Sequence, residues 1–559
     1  MVQATESDVR GRPMRRQPVA LVCLGERLYV ANRCGTLATL DAQTGEVLAE
    51  QPVAQQLVAL ARLGNERTGQ LIAVDKAAHR LIILEVLPRQ RGTPGDVQRR
   101  EGVRILERLP VPHTPAFCVS DPVGVRIFVA SVWARQVTCW QRRNRPSETH
   151  ATWSEAWRTD LTFAPRGLVY LEGRDQLVVG DAFGGTLALL DGRRGDVRQK
   201  RVIPGHQLRG MGLLENGKRL VIAQQVLNPL ARTDDNDVHW GILMSNDLRW
   251  LKLTALLDPR SDLFDQSHMT PLGEASHGAA DPAGLVVVGE DSPLVVVALA
   301  GVGEIAYGRP TDYVFRRMRV GRHPTAVAAR DRRRIFVADT FDDTISVIDM
   351  NAEERIAVWR LGPTRPPTLA EKGEMAFYDG HLSMDGWMSC HSCHVDGHTN
   401  GLLNDNLSDG SYETSKRVLS LLGRAGTAPF AWGGTSATLE DQVGRSIQKT
   451  MRFRGEIPPG TRQAIAAFLR TLEPPPGIDA ARGRVDRRQV ERGKALFEML
   501  GCADCHVPPR YTSEETYDVG LVDERGMRMF NPPTLLGVSQ RHRWLHDGRA
   551  RSLEEVLTR

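Results

Sequence analysis

Arg334-Ile335-Phe336-Val337-Ala338-Asp339-Thr340-Phe341-Asp342-Asp343-Thr344-Ile345-Ser346-Val347-Ile348-Asp349 reads as a β-rich run, a turn and a second β-rich run. The same pattern stands near the start of the chain, where Arg27-Leu28-Tyr29-Val30-Ala31-Asn32 precedes Thr36-Leu37-Ala38-Thr39-Leu40-Asp41. Intermediate copies include Arg126-Ile127-Phe128-Val129-Ala130-Ser131, Gln176-Leu177-Val178-Val179-Gly180-Asp181 and Gly284-Leu285-Val286-Val287-Val288-Gly289. About seven units of roughly 40 to 50 residues fit between Pro18 and Gly362, the period of propeller blades. Period-2 apolar patterning and β-branched residues suit small sheets that bury both faces against their neighbours. The fold expected is an all-β propeller of about seven blades, with the second and fifth divergent, and a propeller alone names no function.

The pattern stops at Leu361-Gly362-Pro363-Thr364-Arg365-Pro366-Pro367, where prolines break the strands and helical periodicity begins. A second proline run, Glu473-Pro474-Pro475-Pro476-Gly477, divides the remainder. The expected organisation is a propeller over 1–362 and two mainly α units over 363–476 and 477–559. Those units are copies of each other. Glu371-Lys372-Gly373-Glu374-Met375-Ala376-Phe377 parallels Glu491-Arg492-Gly493-Lys494-Ala495-Leu496-Phe497. Further on, Leu421-Leu422-Gly423, Trp432-Gly433-Gly434 and Leu439-Glu440 parallel Leu535-Leu536-Gly537, His546-Asp547-Gly548 and Leu553-Glu554 with the same internal spacing.

At the centre of each copy stands Cys-x-x-Cys-His: Cys390-His391-Ser392-Cys393-His394 and Cys502-Ala503-Asp504-Cys505-His506. Two thiols three residues apart on one turn can each add to a vinyl group of one porphyrin, and the imidazole after them is placed to ligate the iron. Cys390, Cys393, Cys502 and Cys505 are therefore expected to attach two haem c groups, with His394 and His506 as iron ligands. A four-cysteine zinc site is the competing reading, but ribbon-type sites space their pairs about 15 to 20 residues apart. The other competitor is a redox dithiol. Cys23, Cys34, Cys118 and Cys139 follow no metal-like spacing and read as small buried apolar residues.

The order of motifs in 365–559 resembles the bacterial di-haem cytochrome c peroxidase family, which includes the MauG-type enzymes. The resemblance rests on Leu382-Ser383-Met384-Asp385-Gly386 ahead of the first Cys-x-x-Cys-His, then Ser420-Leu421-Leu422-Gly423, and Leu439-Glu440. In the second copy it rests on Phe530-Asn531-Pro532-Pro533-Thr534-Leu535-Leu536-Gly537 and Leu545-His546-Asp547-Gly548. The 18–362 units are similar to the YVTN-type propeller repeat. The resemblance implies a di-haem oxidoreductase that reduces hydrogen peroxide with electrons from a donor protein, a small cytochrome or a cupredoxin. It also implies a sixth ligand for the first iron at Met451, three helical turns past Leu439. His381 and Met384 are weaker distal candidates, and His398 is expected at a propionate or in solvent. In the second unit the position equivalent to Met451 falls beyond Arg559, so either a truncated C-terminus or an open face on the His506 haem is expected, with His546 as a distal candidate. Trp387, Trp432 and Trp544 are candidate aromatic contacts between haems. Glu413, Glu440 and Asp441 are the carboxyls available for proton transfer, and the sequence does not choose among them. The alternative function is a non-enzymatic electron-transfer or redox-sensing cytochrome in which the propeller docks a partner.

The 559 residues carry a formal net charge of +5 and a mean hydropathy of -0.30, too dilute a charge to argue for nucleic acid. No stretch reads as a transmembrane segment. Covalent haem attachment in bacteria takes place outside the cytoplasmic membrane, so a periplasmic or other extracytoplasmic location is expected, although no signal peptide is visible and a leader is expected to be missing. The segment Thr233-Asp234-Asp235-Asn236-Asp237-Val238-His239-Trp240-Gly241 interrupts the repeat and reads as a solvated loop or a docking surface, with His206, His268 and His277 in neighbouring loops. Leu403-Asn404-Asp405-Asn406-Leu407-Ser408-Asp409-Gly410 is oxygen-rich and suggests either a turn or a calcium site, without EF-hand spacing.

Overall fold

The computed structural model describes residues 9–65, 68–87, 101–143, 152–405, 407 and 411–558. Seven four-stranded antiparallel sheets follow one another along the chain. They span 18–52, 57–110, 115–160, 165–202, 211–271, 282–319 and 324–360, and are called blades one to seven below. Strands within a blade pair in chain order. The first strand of each blade packs on the first strand of the next, and blade seven returns to blade one. The expected seven-bladed propeller is therefore a closed ring.

Both faces of each blade are buried, which explains why the strands read as apolar runs. In Arg334–Asp339, Ile335 and Val337 join the core between blades six and seven. Phe336 and Ala338, on the other face, join the core shared with blade one. Asp339, which ends that strand, accepts hydrogen bonds from Thr344 (2.9 Å), Ser346 (2.8 Å) and the Gly321 amide (2.9 Å). Burial pushes its carboxyl up to about 6 despite those donors. Cys23, Cys118 and Cys139 are buried as expected, whereas Cys34 is exposed in the turn after Arg27–Asn32.

Ring closure is fastened by the segment ahead of blade one. Arg16 reaches Glu50 at 2.9 Å with neither side chain exposed, and the same guanidinium donates to the Pro363 carbonyl at 2.9 Å. One arginine thus ties the entry of the propeller to its exit.

Blade five departs from the regular pattern because its middle strands, Arg219–Leu227 and Met244–Lys252, are long. Between them Asp234 caps a short helix, Asp235–His239, by accepting from the Asp237 amide at 2.8 Å. The Thr233–Gly241 segment is therefore not a solvated loop. It is an arm whose Val238 and Leu243 share one apolar core with Phe377, Trp387, Met388 and Ile465 of the region that follows the propeller.

In the first α unit, the helix Leu369–Phe377 crosses the helix Thr461–Leu469 closely: a Cβ on Gly373 would lie 1.8 Å from the Ala464 carbonyl oxygen. The corresponding helix of the second unit, Arg487–Met499, has no buried residue, and a Cβ on its Gly493 would meet nothing within 4 Å. The proline run between the units is packed rather than free. Gly423 lies against Pro474 and its counterpart Gly537 lies against Pro475. Among the described residues, no helix is long and apolar enough to cross a membrane.

Replacing Glu50 with Ala would leave the Arg16 charge buried and unpaired, which costs about 3–5 kcal/mol. Urea denaturation of Glu50→Ala should show a correspondingly lower midpoint, and a midpoint equal to the parent's would mean that the pair does not hold the closure.

Candidate functional site

Ser389 caps the first Cys-x-x-Cys-His turn. Its side chain accepts from the His391 amide at 3.1 Å, and its amide receives the Ser392 hydroxyl as partner at 2.9 Å, which starts the helix Cys390–Cys393. Both hydroxyls then donate to one propeller carboxylate, Asp281: Ser389 at 2.5 Å and Ser392 at 2.7 Å. The His206 Nε2–H donates to the Ser392 carbonyl at 2.9 Å, and Asn246 donates to the Trp387 carbonyl at 3.0 Å. The propeller therefore grips the turn itself as well as its surroundings.

Charge reinforces the grip. Asp396, two residues past His394, takes Arg209 at 2.6 Å and Arg166 as a second partner. Burial alone would raise its carboxyl, but the two guanidinium groups outweigh it and hold Asp396 well below the usual carboxylate range. Arg33 clamps Glu374 through two bonds of 2.5 and 2.9 Å. The arm of blade five adds His239 to Asp385 at 2.7 Å and Arg452 to Asp235 at 2.7 Å. Val395 is fully buried among Val132, Ala164, Ala182 and Phe183 of blades three and four.

Two large cavities open beside the two motifs. The first, about 1220 Å³ of empty space including open solvent, is lined by Cys390, Cys393, His394 and Met451 among largely apolar walls. The second, about 810 Å³, is lined by Cys505, His506 and His546. Arg417 and Trp432 line both. In each motif the histidine Nδ1–H donates to a backbone carbonyl, His394 to Leu419 at 2.8 Å and His506 to Tyr511 at 3.0 Å. This bond selects the tautomer that leaves Nε2 unprotonated and fixes the ring plane, as an axial iron ligand requires. Burial lowers both imidazoles, His394 to about 4, so they are neutral.

Among the described residues no cluster of three or more His, Cys, Asp and Glu is arranged to hold a metal ion, so the two cysteine pairs do not form a joint zinc site. Burial pushes the Cys390 and Cys393 thiols up to about 12, the opposite of what a redox dithiol needs. Two apolar cavities, each with paired cysteines and an oriented neutral histidine at its wall, fit a covalently held porphyrin.

The sequence-derived distal candidates separate clearly. Met451 follows the helix Leu439–Arg445 and a π-turn, Ser446–Thr450, and its sulfur lies 3.9 Å from the Cys390 sulfur inside the first cavity. His546 is 1% exposed, stacks on Phe530 at 4.5 Å between ring centres, and has no hydrogen-bond partner at either ring nitrogen. His381 is exposed and paired with Asp379, and Met384 sits in the apolar core rather than at the cavity. His398 does not face solvent: it is buried, bonds Ser420 at 3.0 Å, and meets the rings of Trp133 and Phe183 of the propeller. Of the aromatic candidates Trp544 lines only the second cavity, and Trp387 lines neither, lying instead against blade five with its Nε1–H on the His239 carbonyl at 3.1 Å. Glu413, Glu440 and Asp441 line neither cavity. Glu413 pairs with Arg232, Glu440 pairs with Arg470, and Asp441 bonds the Thr438 hydroxyl. His206 alone of the three propeller histidines singled out in the sequence reaches the motif. The calcium-site segment lies partly outside the described residues, since Asn406, Ser408, Asp409 and Gly410 are not among them.

Asp281, Arg166 and Arg209 were not foreseen. A signal existed for Asp281: residues that precede a blade-opening proline, Gln17, Thr114, Asp281 and His323, share a left-handed backbone with φ of 54°, 59°, 58° and 53°. The residue before the fifth such proline, Ala164 before Pro165, does not share it, and blades two and five open without proline.

Comparison with known proteins bears on the α region. The family described as di-haem cytochrome c peroxidase matches residues 367–473, which contain the first motif. The methylamine utilization protein MauG of Methylophilus methylotrophus is 26% identical over 251 residues, 35% of this chain and 73% of the relative. Hydrazine synthase subunit gamma of Kuenenia stuttgartiensis is 26% identical over 244 residues, 34% of this chain and 69% of the relative. Cytochrome c551 peroxidase of Nitrosomonas europaea is 24% identical over 269 residues, 37% of this chain and 77% of the relative.

Acid should loosen the grip on the first motif. Burial lowers His206 from 6.5 to about 4, so the unfolded chain binds the proton more tightly than the folded one. This contribution to stability is present above pH 6.5 and is lost as pH falls from 6.5 towards 4. Urea midpoints should drop between pH 7 and pH 5, and His206→Gln should flatten that drop; an unaltered slope in the variant would exclude His206 as its source.

Proposed function

We propose, on the premise that the C-terminal region is of the di-haem cytochrome c peroxidase family, that this protein is an extracytoplasmic di-haem oxidoreductase that reduces hydrogen peroxide. Cys390 and Cys393 attach one haem c and His394 ligates it; Cys502, Cys505 and His506 do the same for the second. The observation that carries the reading is the pair of adjoining apolar cavities, each with a histidine oriented through Nδ1 and both walled by Trp432.

When bound, the haem groups supply one-electron redox chemistry and, where a coordination position is open, a site for peroxide. The chain's residues supply the setting. Trp432 is anchored by its Nε1–H on the Arg417 carbonyl at 2.9 Å and forms the aromatic contact between the two redox centres. The apolar walls exclude water. None of the three carboxyls nominated from the sequence faces a cavity, so proton delivery falls to polar groups on the walls. Gln442 lines the first cavity, where its carboxamide can orient water by hydrogen bonds, and His546, an imidazole able to carry a proton, lines the second with no partner at either ring nitrogen. The reducing equivalents come from a donor protein, a small cytochrome or a cupredoxin. Asp405, in the proposed calcium segment, already accepts the Glu413 amide at 2.5 Å, which supports the turn over the cation.

A second reading has an observation of its own. Met451 lines the first cavity and His546 the second, which supports them as sixth ligands, and two six-coordinate irons would make an electron-transfer or redox-sensing cytochrome. Spin state separates the two. For the peroxidase, electron paramagnetic resonance of the ferric holo-protein should show a high-spin component that changes when hydrogen peroxide is added. Low-spin signals at both irons in every redox state, inert to peroxide, would leave the electron-transfer reading. Met451→Ala should convert the first iron to high spin if Met451 is its ligand and leave it unchanged if not.

A further inference from the structure

Several buried or half-buried arginines of this protein have a carboxylate. Arg16 has Glu50, Arg33 has Glu374, and Arg166 and Arg209 share Asp396. Three do not. Arg417, Arg424 and Arg541 are 2%, 6% and 7% exposed, and no carboxylate pairs with any of them among the described residues. Their protein partners are backbone carbonyls: Arg417 Nε donates to Leu545 at 3.1 Å and Arg541 donates to Thr534 at 2.7 Å. They are also neighbours. Burial depresses all three guanidinium groups, and Arg424 further depresses Arg417, while both depress Arg541 to about 9.

Their position is specific. Arg424 lines the first cavity, Arg541 lines the second, and Arg417 lines both. The cluster therefore sits where the two cavities adjoin. Burying one unpaired cation costs several kcal/mol, and three that repel one another cost more. Such a cluster is stable when an anion completes it, and the route for that anion is through the cavities.

We propose that Arg417, Arg424 and Arg541 form a propionate-binding cluster in which the carboxylates of the haem groups are the balancing anions. The inference rests on the di-haem reading above and deepens it. A porphyrin with apolar faces and two carboxylates matches apolar walls that end in guanidinium groups, and guanidinium forks suit carboxylates. The cluster then does two jobs. It keeps the propionates ionised, and its positive charge disfavours the oxidised irons, which raises both midpoint potentials.

The test uses the full chain carrying both haems, with covalent haem counted first by the pyridine haemochromogen spectrum. Spectroelectrochemical titration of Arg424→Gln should show a lower midpoint potential for the first haem, and Arg541→Gln for the second. Each affected potential should become pH-dependent across the neutral range as its propionate begins to titrate, and the propionate bending band in the resonance Raman spectrum should shift. Arg424→Lys and Arg541→Lys keep the charge but not the fork, so they should hold the potentials and still shift the band. They carry the test if the Gln variants do not accumulate. Arg135→Gln removes a buried arginine that serves the propeller contact, through the Gln540 carbonyl at 2.7 Å, and should move neither potential. Unchanged potentials, pH dependence and propionate bands in a chain with both haems would overturn the proposal alone. A parent chain without covalent haem would overturn the di-haem reading and the proposal with it.

Discussion

A four-residue helix with two hydroxyls in its capping box cannot be buried unless something accepts from those hydroxyls, and here one propeller carboxylate does it. Asp281 takes Ser389 and Ser392 together. The rest of the interface is organised around that contact: His206 on the Ser392 carbonyl, Arg166 and Arg209 on Asp396, and Val395 inserted between blades three and four. Because the turn that carries Cys390, Cys393 and His394 is held by the propeller, any motion of the ring is felt at the first cavity. The propeller lines neither cavity but holds the turn that does, and the arm of blade five shares an apolar core with the first α unit.

The two α units repeat in sequence but differ in surroundings. Around the first motif, Gly373 lets two helices touch and the propeller covers the attachment turn. Around the second, the helix Arg487–Met499 lies open, and contact with the propeller runs instead through Arg482 and Arg484 on Asp160 and through Gln540 on the Trp133 carbonyl. The same motif therefore meets two dielectric settings. Burial lowers His394 to about 4 and also lowers His506, while it pushes the Cys390 and Cys393 thiols up to about 12. Unequal burial of like cofactors is a direct way to separate their properties.

Much of this was legible without coordinates. The blades declared themselves because both faces of each strand are buried, so Arg334–Asp339 and Arg27–Asn32 are nearly the same apolar string. The attachment motifs were legible because their chemistry is confined to five adjacent residues. What failed were two readings that needed a partner distant in the chain. Thr233–Gly241 looked like a solvated loop because its acidic residues had no visible partner, yet Arg452 lies across from Asp235. His398 looked bound for solvent because nothing nearby in sequence suggested Trp133 and Phe183 as its neighbours.

The sequence by itself determined the seven-bladed ring, the duplicated α units and the residues able to attach and ligate two haem groups, since each follows from local periodicity or fixed spacing. Only the tertiary structure decided which propeller loops grip the first motif, which of three tryptophans stands between the cavities, and where three arginines are left without a carboxylate. The reason is physical: blade loops far apart in the chain reach one face only after the ring closes, and the balance of buried charge is a property of that assembled face.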